Sequence, residues 1–122
     1  MQQTVLVIDD DAQILDALEY ALTAEGKLVR VATDGATGVA MARAFRPAVI
    51  VLDLNMPGVD GREAIRLLRV QEETRLTPIL AFTSETLGPM EQSALLDDGF
   101  SACLSKHSGL DGLLHALNTL AA

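Results

Sequence analysis

Apolar residues along this chain fall into five short runs, each stopped by polar or charged residues. They cover 4–8 (TVLVI), 28–32 (LVRVA), 48–52 (AVIVL), 78–82 (PILAF) and 102–105 (ACLS). Runs of this length, rich in β-branched residues, predict strands. A run without alternation predicts a strand buried on both faces. Between the runs the apolar spacing becomes helical. Ile14, Leu15, Leu18, Ala21 and Leu22 lead to a stop at Gly26, with Asp11 placed as N-cap. Asp34 can cap a second helix over 35–45, which ends before Pro47. A third helix is predicted over 61–73, with Ile65 and Leu68 inward and Arg62, Arg66 and Arg69 on a solvated face. Pro89 suits the first turn of a fourth, ending before Gly99. Ser108 and Asp111 read as a capping box for a last helix, whose apolar stripe is Leu110, Leu113, Leu114, Leu117 and Leu120.

Strand and helix thus alternate five times. Right-handed crossovers turn such a chain into a doubly wound α/β fold: a five-stranded parallel sheet with helices on both faces. Every strand then ends on one edge, where ligands of open α/β sheets bind. That edge would collect Asp9 and Asp10 after the first strand, Asp53 after the third, Thr83 after the fourth and Lys106 after the fifth. In the strand order 2-1-3-4-5 the first and third strands are neighbours, so three carboxylates meet. Like charges that close oppose joint ionisation and call for a cation or a raised pKa. An all-oxygen cluster suits Mg2+ or Mn2+ better than zinc. Lys106 and the Thr83 hydroxyl opposite would suit a phosphoryl group or oxyanion on Asp53. Each residue also has a plainer reading: helix caps for Asp9, Asp10 and Asp11, a strand-end hydroxyl for Thr83, a solvated lysine for Lys106. What favours the chemical reading is their joint arrival at strand ends.

Composition narrows the classes. The chain has 122 residues, read as a single domain over 1–122, and is 49% hydrophobic, enough for a real core. Aromatics are 3%, leaving no stacking platform for single-stranded nucleic acid. The net charge of −8 disfavours a nucleic-acid or anionic-membrane surface and is compatible with a cation site. One cysteine, Cys103, excludes an internal disulfide and a cysteine-based zinc site. The apolar run at 4–8 is too short and wrongly flanked for a signal peptide or membrane span, so a soluble cytoplasmic protein is expected.

The runs VLVIDDD, VIVLDLNMPGVDG, PILAFTS and LSK, in that order and spacing, resemble the receiver domain of two-component response regulators across essentially the whole chain. The resemblance implies the flavodoxin-like, CheY-like fold. It implies that Asp53 accepts phosphate from a histidine kinase or histidine phosphotransfer protein in a two-component or phosphorelay pathway. Asp10 would bind Mg2+ directly, Asp9 directly or through water, and the backbone carbonyl of Asn55 would complete the protein ligands with Asp53. Thr83 would grasp the phosphoryl group and Lys106 pair with its oxygens. The face of helix 4, strand 5 and helix 5 would then change its binding to an output partner. Such a protein is a signalling phosphoacceptor, not an enzyme acting on other substrates.

Three departures stand out. Cys103 occupies the place of the family's usual aromatic, which puts the relay from Thr83 in doubt; a buried, inert thiol is the simpler reading beside a redox sensor. His107 follows Lys106 where proline is usual, so a trans bond with a rearranged loop, or retained strain, is expected. The segment 83–99 carries one extra residue and Gly88-Pro89, shifting the start of helix 4. The first two favour a competing reading, a pseudo-receiver interaction module that does not switch by phosphorylation; the complete acidic site argues against it. An aspartate-based phosphohydrolase would want an acid at position 55, where the chain has Asn55, and a substrate-covering cap. A flavin site would want a Gly/Ser/Thr-rich loop after the first strand, where acids stand instead.

Overall fold

The computed structural model describes residues 3–120; the ends of the 1–122 range lie outside them. Five strands, β1 (Thr4–Ile8), β2 (Leu28–Ala32), β3 (Val49–Leu52), β4 (Ile79–Thr83) and β5 (Ala102–Ser105), form one parallel sheet in the order β2-β1-β3-β4-β5. The helices are α1 (Ala12–Ala24), α2 (Gly35–Phe45), α3 (Gly61–Val70), α4 (Pro89–Asp98) and α5 (Gly109–Leu120), with a 3-10 turn at Lys106–Ser108.

The central strands show why no alternation was visible in their sequence. Both faces are covered, and successive residues enter two different cores. Leu6, Ile8, Ile50, Leu52, Ile79 and Ala81 face Ala42 of α2, Ala64, Ile65 and Leu68 of α3, and Leu95 of α4. Val5, Val7, Val49, Val51, Leu80 and Phe82 face Leu15, Leu18 and Leu22 of α1 and Leu113 and Leu117 of α5. Each fully buried Leu or Ile among them contributes roughly 1.5–3 kcal/mol before the entropy of ordering it.

The caps follow expectation at two helices. Asp11 accepts from the Gln13 N–H and Asp34 from the Thr37 N–H. Asp60 caps α3 in the same way, accepting from the Glu63 N–H. Four expectations need correction. The third helix stops at Val70 rather than 73, and 71–77 run as turns. Arg69 does not share a solvated face: it is half-buried, and its guanidinium donates to the carbonyls of Gly99, Thr74, Arg75 and Thr77. Ser108 makes no capping box, since its hydroxyl donates to the Ser105 carbonyl inside the 3-10 turn. Leu110 leaves the apolar stripe and stands 40% exposed. The 3-10 turn accounts for the lost cap, because it takes the Ser108 hydroxyl for itself. The Lys106-His107 bond is trans, as no cis peptide occurs among the described residues, and His107 is exposed.

Candidate phosphoacceptor and metal site

The register of the sheet brings the acids together. Ile8 of β1 lies opposite Leu52 of β3. The next residue of each strand is therefore an aspartate on the same edge, Asp9 beside Asp53. The Asp53 N–H donates to the Ile8 carbonyl and the Asp9 N–H to the Ala32 carbonyl, so both backbones are still held by the sheet. The chain then turns sharply. Gly61 opens α3 against the end of β3, where a Cβ would lie 2.3 Å from the Asp53 carbonyl oxygen and 2.7 Å from the Leu54 Cα. Only glycine allows that approach.

Asp9 and Asp53 are buried and Asp10 is exposed; one carboxylate oxygen from each lies within 4.8 Å of the others. The Lys106 Nζ reaches in from the end of β5. It sits 2.7 Å from Asp9 Oδ2 and 3.6 Å from Asp53 Oδ2. Burial of Asp53, then the charge of Asp9, push its carboxyl up to about 6, against the pull of Lys106 and of a hydrogen bond from the Asn55 backbone N–H. For Lys106, burial alone would lower the pKa. The hydrogen bond to Asp9 and the charges of Asp53, Asp9 and Asp11 outweigh burial and raise it. The donor set is all oxygen, carries three carboxylates against one ammonium, and leaves Asp10 open to solvent. It fits a hard divalent cation.

Thr83 is the last residue of β4 and fully buried; its hydroxyl accepts from the Glu85 N–H at 3.2 Å. Asn55 lies exposed on the loop after β3, and its side-chain amide donates to Glu85 Oε2 at 2.8 Å. Arg62, in the first turn of α3, donates to Glu85 Oε1 at 3.2 Å. No local spacing encodes this bridge, because it joins two loops and a helix start. Cys103 is half-buried, and burial pushes its thiol pKa up, which disfavours the reactive thiolate. Beside it a cavity of about 200 Å3 opens between the β4–α4 loop and β5, lined by Thr83, Glu85, Leu87, Gln92 and Cys103 among others.

A doubly wound parallel sheet with an acidic cluster and a lysine at its switch-point edge defines a class of α/β proteins that bind their ligands at the carboxyl ends of the strands. The sequence model described as the response regulator receiver domain matches residues 5–118, and the chain belongs to that family. It is 35% identical over 120 residues to the response regulator MprA of Mycobacterium ulcerans, covering 98% of this chain and 50% of that protein. The chain thus spans about half the length of that curated relative. The chemotaxis protein CheY4 of Vibrio cholerae superposes with a TM-score of 0.91 at 32% identity, covering 98% of this chain and 99% of that one. The receiver domain of the sensor histidine kinase PA1611 from Pseudomonas aeruginosa superposes with a TM-score of 0.89 at 28% identity over 99% and 98% of the two chains. Its structure has a magnesium ion coordinated in the active-site cleft. No described helix is long and apolar enough to cross a membrane.

Proposed function

We propose that residues 1–122 act as a single phosphoacceptor domain whose Asp53 takes a phosphoryl group from a phosphohistidine. The donor would be a histidine kinase or a histidine phosphotransfer protein. The observation that carries the reading is the buried Asp53 carboxylate, flanked by the carboxylates of Asp9 and Asp10 and faced by the Lys106 ammonium. An Asp53 carboxylate oxygen attacks the phosphorus in line, the P–N bond to the histidine breaks, and the electron pair leaves with the imidazole. Asp9, Asp10, Asp53 and the Asn55 carbonyl would hold Mg2+, which when bound neutralises charge on the transferring group. Lys106 then gains phosphoryl oxygens in place of its carboxylate partners, and the Thr83 hydroxyl exchanges the Glu85 N–H for one of them. Both groups border β5 and the β4–α4 loop, so the response would reach the face of α4, β5 and α5 and alter binding of an output partner. The acidic balance favours a protein partner over direct nucleic-acid contact. A cytoplasmic location suits a phosphohistidine donor.

The test is incubation with Mg2+ and acetyl phosphate, followed by intact mass. One added phosphoryl group that needs Mg2+ and disappears in Asp53→Asn supports the reading. No adduct, with no Mg2+ binding by calorimetry, would leave the pseudo-receiver module, which the half-buried Cys103 beside Thr83 otherwise favours.

Lys106 also competes for the metal site, since its ammonium is hydrogen-bonded to Asp9. Lys106→Met removes that rival charge and is expected to tighten Mg2+ binding roughly ten-fold, the scale of one charge at a few ångströms in a partly wet site. Titration calorimetry reads it directly; unchanged or weaker binding would show that the ammonium does not oppose the cation.

A further inference from the structure

Helix α4 is held to the fold by less than its neighbours are. α1 buries Leu15, Leu18 and Leu22, and α3 buries Ala64, Ile65 and Leu68, whereas α4 buries Leu95 alone. Met90, Ala94 and Leu96 face solvent, Met90 84% and Leu96 50% exposed. An apolar face left open in this way marks an interaction surface. The cavity of about 200 Å3 beside Cys103 opens on the β5 side of this helix, between Leu87, Gln92, Cys103 and Leu104. Gln92 and Leu96 are one turn apart, so the exposed leucine stands next to the cavity. An apolar cavity of about 150 Å3 takes up benzene, and small-molecule pockets start at about 300 Å3. The space therefore suits one aromatic or leucine side chain of a partner.

The charges around it say what should flank that side chain. Residues 84–120 carry five acids, Glu85, Glu91, Asp97, Asp98 and Asp111, and one base, Lys106. The Lys106 ammonium is turned inward to Asp9 and Asp53, and Glu85 is paired with Arg62. The other four acids are exposed and make no ion pair among the described residues. Asp97 and Asp98 stand in the last turn of α4, where the helix dipole disfavours anions and no base offsets them. Helix stability does not explain them. Every lysine and arginine other than Lys106 lies between Lys27 and Arg75, on other elements. A second copy docking through the same face would set these acids against one another, because a two-fold contact pairs a patch with itself. We propose that the α4–β5 face takes a basic partner segment, with one aromatic or leucine side chain seated in the cavity beside Cys103 and Lys or Arg side chains over Asp97 and Asp98. This deepens the output-face reading above, and rests on it, by naming the partner's chemistry.

The probe is a fluorescein-labelled helical peptide of about 16 residues, built of alanine and lysine with one central phenylalanine. Two controls carry glutamate for lysine, or alanine for the phenylalanine. Anisotropy is read with the whole chain before and after acetyl phosphate and Mg2+. Only the basic peptide should bind, and loss of its phenylalanine should weaken binding roughly ten-fold. Asp97→Lys with Asp98→Lys should weaken it roughly three- to ten-fold, more at low salt, and should not lower Tm, since the new charges suit the helix end. Cys103→Phe, which fills the cavity from within, should weaken it by a similar factor. Asp16→Lys with Glu19→Lys, exposed on α1, should leave it within two-fold. No binding of the basic peptide overturns the proposal. So does binding that the α1 pair weakens as much as the α4 pair, which is only the general pull of an acidic protein. A wild-type dimer in sedimentation that Leu96→Asp dissolves also overturns it, because a second copy then covers the face. Intact mass of the same samples follows the phosphoryl adduct. Failure of phosphoryl uptake, which removes the reading above, is thereby told apart from failure of the peptide to bind, which removes this inference.

Discussion

Arg69→Ala is expected to destabilise the protein by about 2–4 kcal/mol, the loss seen when a charged donor is removed from several partly buried acceptors. At this chain length that lowers Tm by roughly 3–5 °C per kcal/mol. The reason lies in what the guanidinium joins. Nε and Nη2 both donate to the Gly99 carbonyl, at 3.0 and 2.7 Å, and Nη1 donates to the carbonyls of Thr77 at 2.8 Å and Thr74 at 3.1 Å. Gly99 ends α4 with φ +116, so Arg69 also sets a cation at the negative end of that helix. Thr74 is buried and donates to the Leu68 carbonyl at 2.6 Å. One side chain thus ties the end of α3, the loop to β4 and the end of α4. Burial lowers the Arg69 pKa, but every partner is a carbonyl oxygen that suits a cation. Arg69→Lys keeps the charge and loses the planar fork, and should recover less than half of the loss. Thermal unfolding of the three proteins checks this. An alanine variant within 1 °C of wild type would mean that water serves these carbonyls equally well.

Arg69 also shows where sequence reading stops. Its spacing from Arg62 and Arg66 put it on one helical face with them, and periodicity alone could not separate three arginines. What separates them is tertiary: Arg66 meets solvent, Arg62 meets Glu85, and Arg69 meets carbonyls that end another helix. The strands were readable because burial on both faces leaves an unbroken apolar run, and the site was readable because a parallel sheet delivers every strand end to one edge. Asp9, Asp53 and Lys106 meet there for that reason alone. Boundaries were less sharp. Ala48 is exposed and outside β3, while Thr83 falls inside β4. Which carboxylate Lys106 prefers depends on loop geometry, which no local spacing encodes. The same holds for the link between Asn55, Glu85 and Arg62.

Asp53→Asn should stabilise the metal-free protein above neutral pH while abolishing phosphoryl uptake. The Asp53 carboxyl is raised from 3.8 to about 6 in the folded chain, first by burial and then by Asp9. A folded pKa above the unfolded one means that the native state holds the proton more tightly. Its contribution to stability is complete below about pH 4 and is lost as pH rises through 6. A rise of about two units corresponds to at most roughly 3 kcal/mol of strain once the carboxylate ionises. That figure already includes the pull of Lys106 on the carboxylate, so it is the ceiling on the net gain from the amide. In EDTA the Tm advantage of the variant should therefore be small at pH 4.5, grow through pH 6 and level off by pH 7.5. Saturating Mg2+ should narrow or reverse it, because a cation among Asp9, Asp10 and Asp53 stabilises the carboxylate form and favours the wild type by mass action. A pH-independent gap, or an Asn variant less stable at pH 7.5 in EDTA, would show that Lys106 already compensates the buried charge. The sign of this single substitution thus reports whether Asp53 is held in a strained, charge-crowded state that cation and phosphoryl group can relieve.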